Sequence, residues 1–216
     1  MYGSVFGSAI LELSPFILKW DSVTLAARSF SSAQIDRWIV CLWLGCDLMI
    51  VAETERLTLR HLDDADAPFL CRIFNEPSWL ANIGDRGVRT ADDATRYIEN
   101  ELRTKYATQG FGMYLVATRA PVQSVGVCGL FKRDALPAPD LGFALLPEYW
   151  GQGYAQEAAT AVMNVARAQL GLPRLLAITS LNNDRSGHLL VGLGFKFENL
   201  VRLAPSDEEL KLYATI

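Results

Sequence analysis

Residues 146–158 read LPEYWGQGYAQEA. Gly151 and Gly153 bracket Gln152, Tyr154 follows, and a run of good helix formers begins. A glycine-rich turn that opens a helix offers backbone N–H groups and the positive end of the helix dipole, so it holds an anion. A Walker loop needs a Lys-Ser or Lys-Thr after its glycines to reach terminal phosphates, and none follows here. A dinucleotide fingerprint needs G-x-G-x-x-G with an acidic residue about 20 positions on. Here Gln156 occupies the third glycine position, and LPRLLA stands where the acid should be.

A third loop fits better. After a strand and a turn at Pro147, Gly151 and Gly153 let successive N–H groups face one point, and such a nest binds a pyrophosphate without a lysine. The preceding strand, DLGFALL (140–146), would expose backbone groups if its neighbour splayed away. An extended amide-bearing ligand could then add to that edge like another strand. A pyrophosphate joined to an extended diamide arm describes coenzyme A.

Outward from the loop, the chain alternates strands and helices. LTLRHL (57–62) alternates as a strand. DDADAPFLCRIFNE (63–76) offers an Asp63 cap and an apolar face of Phe69, Leu70, Ile73 and Phe74. Thr90 and Asp93 open a second helix carrying Tyr97, Ile98 and Leu102, which Gly110 ends. The runs FGMYLVATR, VGVCGLFKRD and DLGFALL lie close together, as in an antiparallel meander. The helix opened by the glycine loop stops at Gly171 and Pro173. A buried strand RLLAITSL, a short helix DRSGHLLVGL and the strands FKFENLVRL and ELKLYATI complete the chain. The expected class is mixed α/β, a mostly antiparallel sheet flanked by helices, in the order β-α-α-β-β-β-α-β-α-β-β.

At 216 residues and 50% apolar content the chain suits one domain with a sizeable core. Its net charge of −4 argues against a nucleic-acid surface. Any anionic ligand must be held by local geometry. The cysteines at 41, 46, 71 and 128 form no C-x-x-C pair and lie near neither histidine, so no metal is expected and a reducing cytoplasm is. The apolar stretch WIVCLWLGCDLMIVA is too short to span a bilayer and carries Asp47, so no membrane association is expected. Composition changes near residue 50. Residues 1–48 read as an N-terminal extension, an appended apolar helix around Ile35, Trp38, Ile39 and Leu42 or the product of an upstream start, with the functional domain at 49–216.

PEYWGQGYAQEA resembles the coenzyme-A loop of the GNAT superfamily of N-acetyltransferases, closest to the branch similar to Rim-type ribosomal-protein N-terminal acetyltransferases. The resemblance runs over residues 53–216. LNNDRSGHLLVGLGF resembles the family's N-x-x-S, short helix and Gly-Phe, which places Asn183, Ser186, Gly194 and Phe195 at matching positions. It implies acetyl-CoA as cosubstrate, held by Leu145, Leu146, Trp150, Gly151, Gln152, Gly153, Tyr154, Ala155 and Asn183. It also implies direct acetyl transfer to a primary amine in a ternary complex, the acceptor being a protein N-terminus or a small molecule, in a monomer or homodimer. Trp150 replaces the usual Arg or Gln. Leu190 replaces the tyrosine that commonly protonates the leaving thiolate.

Three jobs need groups. A backbone N–H on the 141–146 strand would polarise the thioester carbonyl. Ser186 matches the serine that would serve the thiolate, although it could merely cap its helix. Asp140, and less so Asp134, are candidate bases in a segment rich in turn residues. An α-amine with pKa ~7.8 needs little help at neutral pH, whereas a lysine is neutral about once per thousand molecules and needs roughly 4 kcal/mol of it. The lack of a compelling base therefore favours the weaker amine base, the α-amine. Trp79, Asp85 and Arg86 are expected in an acceptor-shaping loop, with Trp79 equally readable as core. Tyr213 reads as strand packing, and His61 and His188 as surface or cap residues. A non-catalytic acyl-CoA sensor and a nucleotide-binding module are the rival readings.

Overall fold

A computed structural model describes residues 49–203 and 208–215. The expectations placed on residues 1–48, including Cys41 and Cys46, lie outside the described residues. Among the described residues, eight strands form one sheet: β1 (Ile50–Glu53), β2 (Leu57–Arg60), β3 (Met113–Thr118), β4 (Ser124–Phe131), β5 (Asp140–Leu145), β6 (Leu176–Ser180), β7 (Phe195–Arg202) and β8 (Glu209–Thr215). They lie in the order β1-β2-β3-β4-β5-β6-β8-β7. The pairing is antiparallel except between β5 and β6. The mixed, mostly antiparallel sheet and the β3-β4-β5 meander are as the sequence predicts.

Helices cover both faces, and strand alternation sorts the core between them. On β3, Tyr114 and Val116 join a cluster with Ala158 and Val162 of the long helix. Met113 and Leu115 join the opposite cluster, with Leu70, Ile73 and Trp79. That second face carries α1 (Ala67–Phe74), α2 (Pro77–Asn82), α3 (Ala91–Tyr97) and α4 (Thr104–Gln109), with a π-helical segment, Ile98–Arg103, joining the last two. The first face carries α5 (Tyr154–Ala168) and, through Leu190, α6 (Asp184–Gly192). Local signals explain the ends. Asp63 and Thr90 each form a capping box, and Gly110 ends α4 in the left-handed region at φ 75°.

Two elements depart from the expected order. The edge strand β1 was not foreseen, because Ile50–Glu53 looked like the tail of the apolar stretch; it pairs with β2 only in the folded sheet. Between the first two predicted helices the chain forms α2, with Pro77 in its first turn. Trp79 sits on that helix and is core: it is 5% exposed, its ring 4.6 Å from that of Phe74. His61 is no surface residue either, since its ring stacks on Tyr106 at 3.7 Å and burial lowers its pKa.

Candidate active site

Strands β5 and β6 run parallel but share a single registered pair, Asp140 with Leu176. Beyond that vertex they part. Leu146 N–H donates to the Val125 carbonyl on the β4 side, so alternation turns the N–H and C=O groups of Phe143 and Leu145 toward the opening. The splayed edge expected from DLGFALL is therefore present. It borders a cavity of about 1180 Å³.

At the far end of β5 the chain makes a short 3-10 turn, Pro147–Tyr149, and enters the glycine loop. Gly151 and Gly153 both take left-handed backbone, at φ 74° and 81°. A side chain at either would be strained there, which is why glycine stands at both. No side chain caps α5, whose N-cap is Gly153, so its first-turn N–H groups remain for a ligand.

An unforeseen buttress fixes this loop. Arg56, just before β2, donates through Nη1 to the Gln152 carbonyl at 3.0 Å and through Nε to Glu157 at 2.7 Å. Its guanidinium lies over the Tyr154 ring at 4.7 Å. Glu157 also accepts from the Thr54 hydroxyl at 2.5 Å and the Arg56 N–H at 3.1 Å. Burial alone would raise the Glu157 pKa, but these hydrogen bonds outweigh it and lower the value. The only sequence signal was the polar run ETER next to the first regular strand.

Trp150, Gln152, Tyr154, Ala155, Asn183, Ser186 and Asp140 are expected to act in one place. Gln152 donates to the Glu148 carbonyl at 3.0 Å, tying the loop to its own turn. Trp150 donates through Nε1 to the Leu145 carbonyl at 2.8 Å, and the Arg185 guanidinium lies 4.8 Å from its ring centre. The indole and Arg185 thus reach toward each other from the two sides of the opening. Asn183 accepts from the Ser186 N–H at 3.1 Å, so Asn183 caps α6 and the Ser186 hydroxyl is not spent on capping. Trp150, Gly151, Gly153, Tyr154, Ala155, Leu145, Asn183, Ser186 and Asp140 all line the cavity.

Leu146 does not join them. It is fully buried in the core beneath α1 and α2, its N–H bonds Val125 and its carbonyl accepts from Tyr149. It has no group left for a ligand. Asp140 sits at the closed vertex, 1% exposed, with Arg133 Nε at 2.9 Å. Burial raises its pKa and the guanidinium opposes that rise. Asp140 and Leu146 fall on the face of α1–α3, whereas α6, with Ser186, lies on the other. Asp134 lies exposed in a turn. Tyr213 is buried in the first core with its hydroxyl against Gly187, where a Cβ would stand 2.8 Å from it. That contact explains a glycine inside α6. Cys128 is buried and its thiol is pushed up to about 12, so it is inert.

Among the described residues no group of three or more His, Cys, Asp or Glu is placed to hold a metal ion. No described helix is long and apolar enough to cross a membrane.

Residues 56–196 match the acetyltransferase (GNAT) domain family. The chain is 25% identical over 154 residues to the uncharacterized N-acetyltransferase YoaA of Bacillus subtilis, covering 70% of this chain and 86% of that protein. An acetyltransferase from Agrobacterium tumefaciens superposes with a TM-score of 0.62 at 28% identity, over 76% of this chain and 93% of its own. RimL, a ribosomal-protein α-N-acetyltransferase solved with coenzyme A, superposes with a TM-score of 0.66 at 19% identity, over 77% and 97%.

Proposed function

The chain belongs to the GNAT acetyltransferase family and is an N-acetyltransferase; from that premise we propose that it passes the acetyl group of acetyl-CoA directly to a primary amine in a ternary complex. The observation that carries this reading is the parting of β5 from β6 beside the uncapped, two-glycine entrance of α5. The pyrophosphate sits on the N–H groups of Gly151 through Ala155, and the diamide arm pairs with the edge of β5 at Phe143 and at the N–H of Leu145, whose carbonyl is taken by Trp150. Trp150 and Asn183 border that arm from opposite sides.

The amine attacks the thioester carbon, and the oxyanion is met by a β5 N–H facing the opening. As the C–S bond breaks, the thiolate takes the Ser186 hydroxyl proton, and the proton that the nitrogen loses on becoming an amide returns to Ser186. Asp140 contributes to the field on the acceptor side. Its ion pair with Arg133 makes it a weaker base, so the part proposed for it is electrostatic. The acceptor is a protein N-terminus, as the name of RimL states for that protein, or a small amine.

Thermal unfolding of the full chain with acetyl-CoA, ATP or NAD tests the cofactor. At 100 times its dissociation constant a ligand adds about 2.7 kcal/mol. The midpoint is expected to rise with acetyl-CoA alone, and thiol release is expected on adding an amine. A rise with ATP or NAD in its place would refute the reading.

A further inference from the structure

Among the described residues, four acidic ones line the cavity: Glu76, Asp140, Asp184 and Glu208. Asp140 is held by Arg133 at 2.9 Å and Asp184 by Lys211 at 3.0 Å, while Glu208 has a partner of its own. Glu76 stands apart. Among the described residues no hydrogen bond or ion pair engages its carboxylate, although the residue is half-buried.

Its backbone is fixed all the same. The Glu76 N–H donates to the Ile73 carbonyl at 3.2 Å and its own carbonyl accepts from Leu80 at 3.0 Å. It is the N-cap of α2, yet its side chain makes no capping bond, and Pro77 follows at once. The carboxylate is thus not consumed by its own helix. The wall it belongs to is also tied down. Asn82, at the end of α2, accepts from the Ser180 hydroxyl at 3.0 Å, joining α2 to β6 across the opening. Of the cations that line the cavity, Arg133 is held by Asp140 and Arg185 lies over Trp150, and Arg86 forms no ion pair with Glu76.

A carboxylate without a partner on the wall of a substrate cavity is a ready acceptor for charged hydrogen bonds from a ligand cation. We propose that Glu76 binds the ammonium of the acceptor, so that the site selects amines arriving protonated on the α1–α3 face. The position follows from α2 forming a wall of the same cavity whose other side is the splayed β5 edge. The inference rests on the acetyl-transfer reading, and it names the residue that recognises the acceptor.

Binding of two cationic probes to the full chain saturated with CoA tests it by titration calorimetry: spermidine, and a short peptide with a free N-terminal alanine. Glu76→Gln keeps the shape and removes the charge; it is expected to weaken whichever probe the unaltered protein binds by about tenfold or more. Acetyl-CoA affinity should stay within twofold and the melting midpoint unchanged. Glu76→Asp should recover part of the loss, which a structural role would not predict. Equal probe affinity in Glu76→Gln, or no binding of either probe by the unaltered protein, would overturn the proposal. Stabilisation by acetyl-CoA in those same samples would leave the cofactor reading standing, and its absence would remove both.

Discussion

Replacing the loop glycines by alanine separates backbone strain from cofactor binding. An L-residue in the left-handed region costs roughly 1–2 kcal/mol, and both Gly151 and Gly153 lie there. For a domain of this size each kcal/mol moves the midpoint about 2–4 °C, so Gly151→Ala should lower it by roughly 2–8 °C. Its Cβ meets nothing within 4 Å, so strain is the whole effect. Gly153→Ala differs. Its Cβ would stand 3.3 Å from Arg56 Nη2, which is held 2.6 Å from Glu157. The guanidinium must give way by a few tenths of an ångström, which weakens charged hydrogen bonds and should add about 1 kcal/mol to the loss. Differential scanning calorimetry with and without saturating acetyl-CoA reads both terms. The expected result is a lower midpoint for each variant, lower for Gly153→Ala, and a much smaller rise on adding acetyl-CoA. Should the midpoints fall while the acetyl-CoA rise stays whole, the nest is not the phosphate site. Should the two variants cost the same, the Arg56 buttress carries no weight.

Glu157→Gln should destabilise by about 1–2 kcal/mol at pH 7, since Arg56 is partly exposed and screened. The Glu157 pKa is lowered on folding, so its contribution is present above the unfolded value and lost as pH falls through the folded one. The gap between variant and parent should narrow as pH falls below the unfolded value, about 4.3, and close only below the lowered folded one; a gap that does not narrow at all in acid would refute the charged-bond account. Asp140 has the opposite sign. Its pKa is raised, so its stabilising contribution is complete below the unfolded value, near 3.9, and declines as pH rises through the folded one. Asp140→Asn should therefore gain on the parent as pH climbs above about 4, and a relative loss would show that Arg133 outweighs burial. Trp79 Nε1 is buried without a hydrogen-bond partner among the described residues. Leaving a donor so costs about 1–3 kcal/mol, so Trp79→Phe should lose far less in urea unfolding than the roughly 3–5 kcal/mol of a truncation to alanine. A loss of that larger size would reveal a bond to Nε1.

Local chemistry carries its message in the sequence. Gly151-Gln-Gly153 before a helical run, the caps at Asp63 and Thr90, the Gly110 stop and the alternating runs of the meander all depend on residues within a few positions of each other. Each kept its meaning in the folded chain. So did the place of Asn183 and Ser186 at the head of α6, although which of them caps required coordinates. What tertiary structure alone decided involves partners far apart in the chain. Arg56 reaches Glu157 across 101 positions, and Ser180 reaches Asn82 across 98. Neither residue type announces such a partner. The edge strand β1 exists because β2 offers it a ladder. Leu146 lost its expected part because strand alternation turned its N–H to β4 and its side chain to the core. Asp140 found Arg133 at the vertex of the parting strands, and Glu76 was left without a cation. Sequence spacing determines which way a backbone turns and which groups it frees; only the packing of distant segments decides which of those groups stay free.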